Sequence, residues 1–378
     1  MSSSRLPSLT GLRFIAALLV SGFHIHTAGL FADATVDRSL GRVFGAGAIG
    51  VSFFFLLSGF VLTWSSRPGD TAPMFWRRRL TKIWPNHVVT AIVAGAALFA
   101  FGEAPTVVAI VCNLFLVQAW VPVEHVFYGL NTPSWSLSCE LLFYLCFPLL
   151  LWLSAKVRRR WLWPALLAAL AAVWVVPLVA GVLPRGIQYW LVYVCPPIRM
   201  IEFVAGVLLA RIVRNGLWIR LGVVPAAVLA VGAYLAAGLS LGPYSYAAVT
   251  VAPLALLIGA VAAADVAGRS SPLASPLAVR LGELSFAFYL VHQLVIRVVA
   301  GVLGQHNWST PAGAGVALLI LAGSLAAAWL LWRLIETPAM RLARPRRASV
   351  HAPAYRNPSL VLGAVDSPAV ADEGATAA

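Results

Sequence analysis

Apolar stretches of about twenty residues follow one another along almost the whole chain, and nothing else in the sequence limits the fold so sharply. A helix needs about 20 apolar residues to cross the hydrocarbon core of a bilayer. Stretches near residues 8–28, 46–65, 87–102, 139–155, 162–183, 188–210, 219–240, 245–264, 283–303 and 313–334 meet that requirement. They are continuous rather than alternating, which excludes a membrane β-barrel. The expected fold class is therefore all-α: a polytopic integral membrane protein of about ten transmembrane helices. Composition agrees, with 61% hydrophobic and 11% charged residues, against roughly a quarter charged in a soluble domain.

One more apolar stretch, 106–122, complicates the count. As a full crossing it would put "KVRRR" (156–160) outside while "RRRLTK" (77–82) is inside. Short loops rich in Lys and Arg stay in the cytoplasm. The stretch is therefore expected to be an additional re-entrant or surface segment. Ten crossings of the cell membrane then leave both termini cytoplasmic. Arg38, Arg42, Arg185 and Arg297 fall on or near the outer side, Arg13 and Arg199 within the membrane, and the other basic residues on the cytoplasmic side. The net charge of +14 thus reads as topological. No nucleic-acid partner is expected, because no exposed aromatics interleave the basic residues. Residues 1–344 are expected to form the membrane domain, and the Pro-, Ala- and Ser-rich residues 345–378 a disordered cytoplasmic tail. Arg13 and His24 do not suit a signal peptide's apolar core, so the first span is expected to be retained. Cys112, Cys139, Cys146 and Cys195 lack metal-site spacing, and no metal is expected.

Ionisable residues inside a bilayer are costly, so each is a functional candidate. "RFIAALLVSGFH" (13–24) carries two in the first span. Arg13 and His24 are eleven positions apart, three helical turns plus roughly 20°, so they share a helix face about 16 Å apart along the axis. Two readings stand on spacing alone. Either Arg13 snorkels to the headgroups and His24 packs against another helix, or one helix face links a cation near the cytoplasm to a deeper base. In "NTPSWSLSCELLFYL" (131–145), Pro133 and a turn rich in serine, Ser136 and Ser138 among them, start a helix that Ser138 is placed to cap. Glu140 then falls in the first turn at the outer boundary, where the helix dipole alone accommodates a carboxylate. At that depth it is also expected to reach His24. Arg199 and Glu202, at i, i+3 in mid-span, are expected to form a structural ion pair. His292, near Tyr289 in "SFAFYLVHQLVI", reads as a lone packed polar contact, and Glu336 as structural. The cytoplasmic loop "FWRRRLTKIWP" (75–85) gathers Arg77, Arg78, Arg79 and Lys82. It fixes topology, and its charges suit either membrane lipid or a polyphosphate ligand.

These segments, in this order, resemble the acyltransferase-3 family of integral membrane O-acyltransferases over about residues 7–345. "LTGLRFIAALLVSGFH" is similar to the family's opening Arg-x10-His span, "GVSFFFLLSGFVL" to its second span, "RRRLTKIWP" to its basic loop and "WSLSCELLFYL" to its Trp-Ser-Leu-Ser-x-Glu segment. "RMIEF", "LGELSFAFYLVH" and "IETPAMR" follow in family order. One departure is Lys82, where the family loop usually carries Arg; Lys keeps the charge but loses the bidentate fork. No SGNH-hydrolase-like segment follows the last span, so the membrane domain is expected to complete the transfer alone.

The resemblance implies an acyl-CoA-dependent O-acyltransferase. Its cytoplasmic acyl-CoA donor would be held by Arg77, Arg78, Arg79 and Lys82. His24 would be the general base toward a hydroxyl acceptor. Arg13 would steer the donor or stabilise its thioester oxyanion, and Glu140 would orient the imidazole or bind the acceptor. The expected acceptor is a hydroxylated small molecule or glycan, with a secondary metabolite of macrolide type first. O-acetylation of cell-surface polysaccharide and non-enzymatic transport of lipid or glycan are the rival readings. The paired repeats of a transporter are not found in the sequence.

Overall fold

The computed structural model describes residues 6–67, 69–239, 241–304 and 307–342. The chain divides into two units, Met1–Ala343 and Arg344–Ala378. The second, and with it the tail expected at 345–378, lies outside the described residues.

Nine helical segments among the described residues are long and apolar enough to cross a membrane, and a further apolar helix is shorter. The principal helices are α1 (Pro7–Thr27), α2 (Ala34–Phe44), α3 (Gly50–Ser65), α4 (Ala72–Ala100), α5 (Val107–Leu114), α6 (Trp135–Lys156), α7 (Leu162–Ala180), α8 (Pro196–Arg214), α9 (Val223–Ala237), α10 (Ala248–Val266), α11 (Pro276–Leu303) and α12 (Thr310–Leu331). No β-strand forms among the described residues. The protein is an all-α, multi-pass membrane protein.

Local chemistry sets several starts. Pro7 opens α1, and Pro276 opens α11 behind Ser275, whose hydroxyl accepts from Ala278 N. Asp33 caps α2 by accepting from Thr35 N and Val36 N. This amphipathic helix buries none of its residues and does not cross. Contacts between connecting segments fix the direction of the others. Ser8 Oγ donates to Asp265 at 2.6 Å, and Arg159 donates to Asn215 O at 2.7 Å, both at the end where α1 begins. Tyr234 donates to Val43 O at 2.6 Å at the opposite end. The spanning helices therefore alternate, with α9, about 22 Å long, as the shortest, and α12 returns the chain to the side where α1 begins.

The stretch 106–122 does not cross. Thr106 caps α5, and this helix is only eight residues long, about 12 Å against a core of about 30 Å. The chain then turns back through Leu116, whose φ of 55° is left-handed. Asn113 and Gln118 are buried and both donate to Ser134, at 2.9 Å and 3.3 Å for its Oγ, while His87 bonds Asn113 O at 2.8 Å. The amide nitrogens of Asn113 and Gln118 are thus paired inside the protein, as a partial insertion requires, while Asn113 Oδ1 and Gln118 Oε1 have no hydrogen-bond partner among the described residues.

One expectation is overturned at α4. The basic segment 75–85 is not a loop: it is helix from Ala72, continuous through Pro85. Arg and Lys are good helix formers, and a proline is tolerated where neighbouring helices re-satisfy the freed backbone. The third span therefore begins fifteen residues before the expected position 87.

Close helix crossings hold the bundle. A Cβ on Gly59 of α3 would lie 2.0 Å from Phe203 O of α8, and one on Gly206 would lie 1.9 Å from Leu56 O. Only glycine lets two backbones approach so closely. Two turns away, Arg199 Nη1 stands 3.2 Å from Glu202 and Arg199 Nη2 donates to Ser52 Oγ at 2.9 Å. The guanidinium lies over the rings of Phe55 and Tyr193. Gly282 brings α11 against Thr10 of α1 in the same manner. Two π-helical turns, Trp190–Val194 and Trp332–Glu336, re-aim Tyr193 and Glu336 toward the interior.

Candidate active site

Helix α1 serves two cavities. Toward its start, Arg13 lines a small cavity of about 100 Å³ together with Arg79, Lys82, Glu140 and Tyr144. Tyr144 Oη donates to Glu140 Oε2 at 2.7 Å. Asn86 Nδ2 donates to Glu336 Oε2 at 3.1 Å, and Lys82 feels the charges of Arg13, Glu336, Arg79 and Glu140. Three cations therefore face two carboxylates in a water-poor interior. Arg79 lies over the Phe75 ring, and its Nε has no hydrogen-bond partner among the described residues.

The helical state of 75–85 decides which basic residues reach this cavity. At about 100° per residue, Arg79, Lys82 and Asn86 share one face of α4, Arg77 lies opposite, and Arg78 lies at the edge of that face beside Lys82. Arg77 is exposed. Arg78 forks onto Asp70 at 3.0 and 2.9 Å. The expected four-residue cluster is thus split: Arg79 and Lys82 line the cavity and Arg77 and Arg78 turn away.

Eleven residues further along α1, His24 lines a second cavity of about 360 Å³. Phe23, Trp135 and five of the chain's nine tyrosines form much of its wall. These tyrosines, Tyr128, Tyr189, Tyr193, Tyr246 and Tyr289, come from four different segments; the sequence singles out Tyr289, and local spacing links none of the other four to it. Tyr128 and Tyr189 join through their hydroxyls. Tyr193 donates to Ala48 O at 3.1 Å. Tyr289 shares a hydrogen bond with Ser136 at 3.0 Å and donates to Pro133 O at 3.2 Å. Phe54 of the basic cavity packs on Tyr289 of the aromatic one, ring centroids 5.9 Å apart, so the walls of the two spaces meet at this ring pair.

Three further expectations are corrected here. Glu140 does not meet His24. Helix α6 starts at Trp135, so Glu140 is its sixth residue rather than part of its first turn, and lies about 8 Å along the axis, at the depth of Arg13. Ser138 does not cap α6; it is buried inside the helix with no hydrogen-bond partner for its Oγ among the described residues. His292 is not a lone packed histidine: its Nε2 lies 2.9 Å from His24 Nδ1. Glu336, read as structural, belongs to the basic cavity's charge set. Arg199 and Glu202 do stand as a contacting buried pair. No group of three or more metal-ligating side chains occurs among the described residues.

A cationic cavity suits an anionic or carbonyl-bearing reactant, and an aromatic cavity with one imidazole at its wall suits an uncharged reactant that can lose a proton. The sequence as a whole is similar to known proteins. The family model described as Acyltransferase domain, acyltransferase 3, matches residues 6–333. Acyltransferase MdmB of Streptomyces mycarofaciens is 44% identical over 369 residues, covering 92% of this chain and 95% of its own. Exopolysaccharide production protein ExoZ of Rhizobium meliloti is 30% identical, covering 82% of this chain and 94% of its own. Peptidoglycan O-acetyltransferase OatA of Listeria monocytogenes is 28% identical but covers 50% of this chain and 32% of its own. No solved structure matches. With a match across nearly all of its membrane-spanning part, the chain belongs to the acyltransferase-3 family and is a membrane acyltransferase.

Proposed function

We propose that the protein transfers an acyl group from cytoplasmic acyl-CoA to a hydroxyl of a secondary metabolite or sugar, with a macrolide-type acceptor first. The observation that carries this reading is that one helix delivers Arg13 to a cationic cavity and His24 to an aromatic one. The cationic cavity opens from the end of the bundle richest in Lys and Arg, which the positive-inside rule assigns to the cytoplasm, with both termini. Residues 1–344 are the membrane domain in this reading, and 345–378 its cytoplasmic tail.

Arg79 and Lys82 draw the phosphate-rich donor to the cytoplasmic cavity, Arg79 with a free donor nitrogen. Arg13 steers the donor's thioester arm from the basic cavity toward His24. Glu140 and Glu336 offset the cations, so that the cavity is attractive without holding product too tightly. The acceptor lies against the tyrosine walls, and its hydroxyl gives a proton to His24. The oxygen attacks the thioester carbonyl carbon, the C–S bond breaks, and CoA leaves as a thiolate that takes up a proton. A cavity of about 360 Å³ lies within the range of small-molecule sites, roughly 300–1,000 Å³. The end-to-end similarity to Acyltransferase MdmB supports acyl transfer as the reaction.

The test is acyl transfer by detergent-purified protein, with labelled acetyl-CoA and macrolide or oligosaccharide acceptors, and ester masses as readout. Ester formation that is lost in a folded His24→Ala variant by about 10²–10⁴-fold supports the reading. No CoA release, with acceptor transport in vesicles instead, overturns it. Near wild-type turnover in His24→Ala removes His24 from the chemistry.

A further inference from the structure

We infer that His292 is the positioning residue that fixes the tautomer of His24, through a chain of hydrogen bonds anchored on the α11 backbone; the inference rests on His24 being the general base.

A neutral imidazole has one N–H and one bare nitrogen, and which is which follows from its partners. Here the assignment can be read outward from an atom with only one possible role. Phe288 O is a carbonyl and can only accept. It lies 3.3 Å from His292 Nδ1, and the Tyr289 carbonyl also faces this ring. His292 Nδ1 therefore carries the proton, and His292 Nε2 is the acceptor. The nitrogen 2.9 Å from that acceptor is His24 Nδ1, which must donate. His24 Nε2 is left with its lone pair, on a ring that lines the aromatic cavity. One backbone carbonyl thus leaves the base in its proton-accepting form on the acceptor's side.

His292 is built to hold this assignment rather than to touch substrate. It is 0% exposed, lines neither of the two cavities, and its ring is stacked on Phe288 and tilted against Tyr289. The glycine contact at Gly282 seats α11 along α1. The role resembles that of the acid in a Ser-His-Asp triad, which sets tautomer and orientation without itself exchanging the proton. When His24 takes the acceptor's proton, both its nitrogens become donors, and His292 Nε2 accepts from the new imidazolium without any atom moving.

Substitutions separate positioning from packing. His292→Gln keeps an acceptor oxygen near the position of Nε2; His292→Leu keeps volume without an acceptor. We expect His292→Leu to lower kcat by about 10²-fold or more with both KM values unchanged, and His292→Gln to restore most of the loss. A folded His292→Leu protein with wild-type kcat, or a His292→Gln protein as inactive as His292→Leu, overturns the inference. If neither variant folds, 15N NMR of imidazole-labelled wild type, with His24 assigned from its loss in His24→Ala, still decides. A protonated Nδ1 and bare Nε2 on His24 support it, and the opposite tautomer overturns it. His24→Ala activity, measured in parallel, keeps the two claims apart. An active His24→Ala sinks the base assignment, whereas an inactive His24→Ala with fully active His292→Leu sinks only the positioning role.

Discussion

Gly206→Ala should open the bundle at the crossing of α3 and α8. The added Cβ would sit 1.9 Å from Leu56 O and 3.0 Å from Phe60 N, both backbone atoms that have no rotamer to change. Cβ atoms essentially never approach within 3.0 Å, so the helices must part by about 1 Å. Overpacking of this kind costs about 1–3 kcal/mol. The better helix propensity of alanine offsets about 1 kcal/mol. Two turns away, the 2.9 Å bond from Arg199 to Ser52 would stretch to about 4 Å and be lost. A lost hydrogen bond to a charged group adds about 1.5–3 kcal/mol. The net expectation is a loss of about 1.5–5 kcal/mol. Gly232→Ala is the control, because a Cβ there meets nothing within 4 Å. Thermal stability by size-exclusion fluorescence in detergent, with acyl transfer alongside, reads both. Gly206→Ala indistinguishable from Gly232→Ala would refute the reasoning.

Three other expectations follow from the same geometry. Arg79→Ala should raise the apparent KM for acyl-CoA by about tenfold, one lost charged hydrogen bond's worth, whereas Arg78→Ala, whose side chain is engaged by Asp70, should leave it within twofold or so; steady-state kinetics at physiological salt compares them. Arg199→Met should destabilise by about 3–5 kcal/mol by stranding buried Glu202, and adding Glu202→Met should recover most of that in the melting assay. Cysteines placed at Leu80 and Arg158, in a background without Cys112, Cys139, Cys146 and Cys195, should both label only from the cytoplasmic side; outer labelling at Arg158 would mean that the segment containing α5 crosses after all.

The bilayer makes some features of this chain legible and hides others. Crossing helices were readable because lipid forces about twenty apolar residues into each, and the eleven-residue spacing of Arg13 and His24 on one face needs only helical geometry. The start of α4 was not readable, because hydropathy scores Arg77–Lys82 as solvent-seeking whereas the helix buries one side of that run around Arg79 and Lys82. The depth of Glu140 is not legible in the sequence, because α6 begins at Trp135 rather than at the serine placed to cap it. His24 and His292 are 268 residues apart, and Asn86 and Glu336 are 250 apart. Such pairings depend on which helices pack together, a tertiary choice that local spacing does not encode.

The touching rings of Phe54 and Tyr289 have a consequence for the cell's energy supply. A membrane that stores a voltage cannot hold a protein with an open file of water through it, since each elementary charge leaking across dissipates about 2.3 kcal/mol per 100 mV. Rings in contact at such a point discriminate by chemistry: an ion passing them would lose its hydration shell, whereas a neutral carbonyl on a short carbon chain gives up little. Under the proposed reaction the nucleotide stays in the basic cavity and only the uncharged acyl end of the donor approaches the rings. Modification of this kind draws on the thioester alone and leaves the ion gradients untouched.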